Sequence, residues 1–459
     1  MRFIARLLAI LAAAMLAVQP VAAQSILRDA ETEAFLEHIS APLVEAAGLE
    51  PENVDIILVG DPSINAFVAG GQAVYIHSGL IEAADSAEEV QGVIAHELGH
   101  ITGGHILRYG EGMSSASKIS LLSLIAGIGA ALAGAGEAAM GIVALGQQAA
   151  IGQFLAFSRT QESSADFAGA EYLSKAGISG KGSLDFFGKL LNQEYRYAYS
   201  QSDEAGWYRT HPLSGDRISA LREVYEADPA WNRPVDPQNQ ARFERVKAKL
   251  VGYIAKPSAT LRDYPESDMT VPALYARAYA YHKNARVDRA LEAVDELLAR
   301  NPDDPYFLEL KGQVLLESGR PTEALDPLRR ATLLTNSEPL IAGLFGHALI
   351  ATEDKVNFEE AEQVLRAAVG RDRNNPFAWY QLGVVYAARG DTARARLATA
   401  EQQVMSGQYP LALRSAQAAE AGLERGTPDW IRAQDIGMQA RALLERQCEM
   451  ERGRNCTSG

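Results

Sequence analysis

The sequence predicts a mainly α protein in two parts: an α+β domain with a small sheet, followed by an α-solenoid. Three observations lead there. Val54 to Val59 (VDIILV) and Ala73 to His77 (AVYIH) are short, β-branched runs that read as strands among helical stretches. Glu88 to His105 is patterned as a helix with polar chemistry on one side. From Val271 onward the chain repeats in blocks of 34, 34 and 37 residues, starting at Val271, Pro305, Pro339 and Pro376. At 459 residues the chain exceeds what one ordinary core organises.

In chain order, residues 1–23 come first. Arg2 and Arg6 precede an apolar run from Leu7 to Val18, and Val21-Ala22-Ala23 places small residues where a signal peptidase would cut before Gln24. The rival reading is an uncleaved anchor, for which the apolar core is short. No cysteine follows the run, which argues against lipoprotein attachment. Cleavage removes two Arg and no acid, taking the formal charge from −15 to −17. That balance argues against nucleic acid and against simple electrostatic attraction to anionic lipid. In an exported chain the cysteines Cys448 and Cys456 read best as a disulfide clipping the tail.

Ala30 to Ala47 has the pattern of a helix with one apolar side. After the first strand, Asn65-Ala66-Phe67 and Gly70-Gly71 lead into Ala73 to His77. Glycines there suit an edge to which a peptide adds by β-pairing; a plain hairpin under the helix fits equally. His77, alone on a strand, reads as structural. Next comes EEVQGVIAHELGHITGGH, residues 88–105, which contains His96-Glu97-Leu98-Gly99-His100. Residues four apart on a helix are offset by roughly 40°, so both imidazoles leave one face and can share a zinc ion. Glu97 is placed to act as general base on a water at that metal. Gly99, a poor helix former, leaves room for a third ligand or substrate. His105 would point roughly 140° away from His100 on a continuous helix, which suits a supporting or structural role rather than ligation.

Ile119 to Leu145 is apolar and rich in Gly and Ala. It approaches the length of a span, and equally suits two short, closely packed helices acting as a lid or touching a membrane peripherally. Phe157 to Leu173 (FSRTQESSADFAGAEYL) then places Glu162 and Asp166 four apart. Glu162 can complete a His-His-Glu zinc site with a fourth position open, and Asp166 can fix the tautomer of a ligand histidine. Apolar Ala165, Phe167, Ala168 and Ala170 make burial of that pair reasonable. Thr210-His211-Pro212-Leu213 follows, with Arg217 beyond it. His211 can donate to an oxyanion, occupy the open zinc position, or be a loop histidine.

Pro229, Pro234 and Pro237 mark a linker, and Gln238 to Ile254 reads as a helix. In the repeats the eighth positions are Ala278, Gly312, Gly346 and Gly383. The twentieth are Ala290, Ala324, Ala361 (after an insertion near Asp354 to Asn357) and Ala395. Small residues in phase at two places per block are the tetratricopeptide pattern, and Gln408 to Gln447 reads as capping helices. The expected organisation is a signal peptide (1–23), a metal-site domain (24–228), a linker and connecting helix (229–270), repeats (271–447) and a tail (448–459).

With these pieces placed, the chain resembles peptidase family M48. The residues that carry the resemblance are His96-Glu97-Leu98-Gly99-His100, Ser158-Arg159, Glu162 with Ala165-Asp166, His211-Pro212 and Arg217, and more loosely Asn65-Ala66-Phe67 and Ser78-Gly79-Leu80. The resemblance implies a zincin-like metallopeptidase fold with one zinc ion per chain, held by His96, His100 and Glu162. It implies Glu97 as catalytic base and Asp166 in support. Integral-membrane branches of the family show several clear spans, which this chain lacks. It is similar instead to a bacterial periplasmic branch in which repeats follow the peptidase. That likeness implies misassembled outer-membrane proteins as substrates and repeats that dock on the barrel-assembly machinery or on substrate. The alternative is a periplasmic chaperone or adaptor that works through its repeats with little proteolysis.

Overall fold

The protein is described by a computed structural model over residues 25–132, 136–197, 211 and 215–452. The expected signal peptide, Pro212 and Cys456 lie outside the described residues. The chain divides into two compact units, one of residues 1–27 and 37–236 and one of residues 28–36 and 237–459.

The first unit holds a four-stranded sheet: β1 (Ser25–Ile26), β2 (Asp55–Gly60), β3 (Ala66–Ala69) and β4 (Ala73–His77). The order is β1-β2-β4-β3, with β2 and β4 parallel and both outer pairs antiparallel. Both expected strands are present, and β3 joins them through Gly70 and Gly71, which have φ of +64° and +109°. The edge expected at Ala73 to His77 is therefore elsewhere. That strand is flanked on both sides, and the open edge beside it is β3. Phe67 of β3 stacks on Tyr75 of β4 with ring centroids 5.0 Å apart, which fixes this register. His77 is buried in the sheet, with Nδ1 2.8 Å from Ser63 Oγ, as a structural histidine would be.

Four helices build the rest of the site: Ala87–Thr102, His105–Leu132, Gly136–Ala176 and Lys181–Tyr197. Ser86 caps the first by accepting from the Glu89 backbone N–H at 3.2 Å, and Glu89 reaches back to the Asp85 N–H at 2.8 Å. Lys189 then closes on Glu89 at 2.7 Å and tethers the helix Lys181–Tyr197 to this start. Gln91 donates to the Ile39 carbonyl at 2.9 Å, tying the later turns of Ala30–Ala46 to the same helix. Of the stretch from Ile119 to Leu145, residues 119–132 and 136–145 lie in the neighbouring ends of two long helices, not two short ones. Their close packing shows at Gly146, where a Cβ would lie 1.9 Å from Ser123 Cβ. Among the described residues no helix is long and apolar enough to cross a membrane.

The second unit is a stack of antiparallel helix pairs, and the repeat phase coincides with it. Val271–Lys283, Pro305–Glu317, Pro339–Ala351 and Pro376–Ala388 begin at the four block starts. Each is capped by the preceding side chain (Thr270, Asp304, Glu338, Asn375) and has proline in its first turn. The eighth-position glycines admit a leucine from the paired helix: a Cβ at Gly312 would lie 2.3 Å from Leu328, and one at Gly346 2.5 Å from Leu365. The insertion after the third block start is a short 3-10 turn, Lys355–Asn357.

Residues 28–36 belong to this second unit because their charges find partners there. Lys249 Nζ lies 2.5 Å from Asp29 and 3.4 Å from Glu31. Tyr275 donates to Glu31 at 2.8 Å. Arg245 pairs with Glu31 and makes a two-pronged contact with Asp304 at 2.5 and 2.7 Å. Glu31, Asp304 and Lys249 are all buried. Burial works against charge on Arg245 and Lys249, yet the facing carboxylates raise both pKa values. Arg245→Ala would strand two buried carboxylates, and a loss of about 3–5 kcal/mol is expected for breaking such a network from one side. Urea unfolding followed by circular dichroism checks it; a loss under about 1 kcal/mol would mean that the network is not holding residues 28–36 in place.

Candidate metal centre

The site is built by two facing helices. His96, Glu97 and His100 lie on Ala87–Thr102, and Glu162 and Asp166 lie on Gly136–Ala176. Four-residue spacing on each puts both pairs on the facing sides. The helices come this close because of Gly99, where a Cβ would lie 2.6 Å from the Ala165 carbonyl oxygen. The space read at Gly99 as room for a ligand is thus occupied by the helix that carries Glu162.

His96, His100, Glu162 and His211 each offer one ligating atom, and these atoms lie within 4.8 Å of one another. His100 Nε2 is 3.1 Å from His96 Nε2 and 3.4 Å from Glu162 Oε1. His211 Nδ1 is 3.1 Å from Glu162 Oε1 and 3.3 Å from His96 Nε2. All four residues are at most 8% exposed. Imidazole nitrogens that face each other at this distance need a shared proton or a shared cation. Imidazole nitrogens and a carboxylate oxygen are donors that zinc takes, and three of these four would make an open catalytic set.

Glu97 differs from its neighbours. It is fully buried, and neither carboxylate oxygen has a hydrogen-bond partner among the described residues. His211 Nε2 lies 3.5 Å from its Oε1. Burial raises its pKa, the nearby imidazoles oppose this, and Glu162 adds to the rise. A raised carboxylate facing a cluster of donors suits proton transfer.

Around the donors sits a supporting layer. Asp166 Oδ1 lies 3.0 Å from His96 Nδ1, leaving Nε2 to face the cluster. Arg217 donates to Asp166 through Nε at 2.7 Å and a terminal nitrogen at 2.8 Å, and its other terminal nitrogen lies 3.2 Å from Glu162. Burial works against charge on both acids, but His96 and Arg217 hold Asp166 down, and His211 and His96 hold Glu162 down. For His96, burial lowers the pKa, yet Asp166 and Glu162 outweigh it and bring it to about 10. His100 goes the other way, lowered by burial and by the neighbouring imidazoles. Protonation is therefore most favoured at His96, which lies between Asp166 and Glu162.

The structure brings together every candidate site residue near the expected motif: His96, Glu97, His100, Glu162, Asp166, His211 and Arg217. Cys448 lies near the end of helix Pro428–Arg452, away from these residues, and Cys456 lies outside the described residues. His105 joins the site in a way its spacing hid. Gly104, with φ of +60°, ends the helix and a new one begins at His105, which turns back to place Nδ1 3.0 Å from His100 Nδ1. Phe187 was not singled out by sequence; its ring packs edge-on against His96 at 5.8 Å.

Residues 30–225 match peptidase family M48, and residues 275–338 and 354–410 match a tetratricopeptide repeat family. The β-barrel assembly-enhancing protease of Escherichia coli (strain K12) is 25% identical over 421 residues, covering 90% of this chain and 83% of its own length. A Vibrio cholerae relative of that group is 28% identical over 292 residues, covering 62% of this chain but only 59% of its own. Metalloprotease LoiP of Escherichia coli (strain K12) is 29% identical over 182 residues, 39% of this chain and 65% of its own length. The match to a metallopeptidase family implies a metal at this centre, and the buried donor set fits one. Residues 30–225 are therefore a metalloendopeptidase domain of peptidase family M48, joined in one chain to tetratricopeptide repeats.

Proposed function

We propose that the protein is a zinc endopeptidase of the bacterial periplasm that degrades misassembled outer-membrane proteins, with its repeats recruiting substrate or the assembly machinery. The observation that carries the chemistry is the buried set of His96, His100 and Glu162 with the orphaned Glu97 carboxylate beside it. Substrate class and compartment rest on likeness to the β-barrel assembly-enhancing proteases. The apparent signal peptide agrees with export. An adaptor working with little proteolysis would have no need of an unpaired, buried Glu97.

His96, His100 and Glu162 hold the metal, one ion per chain. A bound zinc supplies Lewis acidity to the scissile carbonyl and acidifies water at neutral pH. Glu97 accepts the proton of the attacking water and passes it to the leaving amine. Asp166 fixes the tautomer of His96, and Arg217 fixes Asp166 and screens the two buried acids from each other. Peptide substrate pairs with the open edge of β3, which has backbone groups to offer. His211 keeps the resting site latent by completing the donor set, and substrate releases it by binding the open form more tightly. The helix ends over residues 119–132 and 136–145 expose Leu121, Leu122, Ile125, Met140 and Leu145, each more than half accessible, which suits peripheral contact with a membrane surface.

Glu97→Gln should keep zinc and abolish casein cleavage, because an amide cannot take the proton; wild-type turnover in this variant would refute the mechanism. His211→Ala should raise basal casein cleavage if the histidine enforces latency. A fall of about a hundredfold would instead place it at the oxyanion. Zinc uptake by chelator-treated protein should release about one proton and strengthen about tenfold per pH unit across the neutral range, since His96 must deprotonate to bind. The sign is set by a folded pKa above the unfolded value. The pairing of His96 with the acids stabilises the metal-free protein fully below about pH 6.5 and is lost as pH rises through about 10. Calorimetric titration in buffers of different ionisation enthalpy reads the proton directly, and pH-independent uptake would contradict it.

A further inference from the structure

The repeat unit holds a pocket that peptide hydrolysis does not use. It lies among the helices Phe358–Arg371, Pro376–Ala388, Thr392–Met405 and the start of Pro428–Arg452, with a volume of about 670 Å³. Its floor is apolar, with Leu382 and Tyr386 buried and the indole of Trp379 partly so. Its charge runs against that of the molecule. Four arginines line it against two aspartates, in a chain of formal charge −15.

Two of the arginines are already engaged. Arg394 donates to Asp429 at 2.7 Å, and Arg432 forks onto Glu401 at 2.5 and 2.9 Å. The other two are under-used. Arg366 lies 3.6 Å from Glu362, which Arg389 holds more closely at 3.2 Å. Arg373 is exposed and has no acidic partner among the described residues. It is nonetheless fixed at its backbone, because Trp379 Nε1 donates to the Arg373 carbonyl at 3.0 Å. A guanidinium that springs from a fixed backbone beside an aromatic wall and an apolar floor has a defined preference. It takes a carboxylate on its planar fork while an adjoining apolar side chain leaves water.

We propose that this pocket binds an acidic peptide segment with an aromatic or large aliphatic side chain next to its carboxylate. Arg366 and Arg373 hold the acid, and Leu382, Tyr386 and Trp379 hold the apolar side chain. A polyanion such as nucleic acid fits poorly, because Asp429 and Asp435 sit on the rim and the chain as a whole is acidic. The proposal specifies the chemistry of the recruiting role given to the repeats and rests on that role for its use in the cell.

Fluorescence polarisation of the full-length chain with a labelled peptide of alternating Asp and Phe tests it, beside an Asn-Phe analogue and citrate as competitor. The Asp-Phe peptide should bind, weaken with added salt, and lose at least tenfold in Arg366→Glu and Arg373→Glu. Both side chains are solvent-accessible, so these variants should fold and should cleave casein as wild type does. Gly370→Leu gives an uncharged control: a Cβ there meets nothing within 4 Å, so leucine fills the pocket without strain and should also abolish binding. Equal binding of the Asn-Phe peptide, indifference to both charge reversals, or citrate binding as tightly as peptide would each overturn the proposal. Photocrosslinking from Tyr380, an exposed repeat residue, to an unfolded barrel protein tests recruitment separately. Crosslinks without peptide binding sink the pocket alone, and peptide binding without crosslinks sinks the recruiting role alone.

Discussion

The approach of two helix backbones at Gly99 and Ala165 is the constraint from which the metal centre follows. Any side chain at Gly99 would collide with the Ala165 carbonyl, and Gly169 repeats the arrangement against Ala95 at 3.0 Å. With the axes held this close, four side chains placed by helical spacing have nowhere to go but toward each other. Burial then removes water from two carboxylates, which is tolerable only with cations in reach. His96 and Arg217 supply them, so packing and electrostatics select the same geometry.

That geometry divides the acids by function. Glu162 and Asp166 are held ionised by what surrounds them, whereas Glu97, one residue from His96, is left without a hydrogen bond and is pushed upward by burial. An acid locked into its charged form orients its neighbours well and takes up protons poorly. Which of these acids is held ionised is therefore set by partners, not by residue type. Arg217 illustrates how: by bridging Asp166 and Glu162 it keeps both available to the histidines and lets the two negative charges sit side by side.

Much of this was legible in the sequence because its signals are local. Four-residue spacing within each of two helices identified His96, His100, Glu162 and Asp166 before any helix was placed, and cap-proline starts with in-phase small residues marked the repeats. What escaped depends on long-range or backbone facts. His105 looked misdirected because the spacing argument assumed a continuous helix, while Gly104 in the left-handed region restarts it. The open edge fell on β3 because four residues, Ala66–Ala69, are too few to show strand alternation. Ile119 to Leu145 reads as short segments because its glycines look like breaks, although the described residues on either side of 133–135 belong to long helices. The attachment of residues 28–36 to the second unit was hidden because Glu31 finds Arg245 and Tyr275 more than two hundred residues away.

The two units each contain a buried polar network, and comparing them shows what separates a site from a strut. Around Asp29, Glu31 and Asp304 each acid meets a permanently charged Arg245 or Lys249. Such a network has no proton to exchange near neutral pH. An orphaned carboxylate alone does not make a site either: Glu309 has an unpaired oxygen and is pushed by burial up to about 8, but no group of metal-ligating side chains gathers around it among the described residues. The metal centre differs because one of its cations is an imidazole, His96, which can give up the charge that stabilises the acids. Asp166 meets His96 at Nδ1, away from the nitrogens that face each other, while Arg217 holds both Asp166 and Glu162. A proton that can leave His96, set within the permanent charge of Arg217, is what distinguishes this cluster from the network around Arg245.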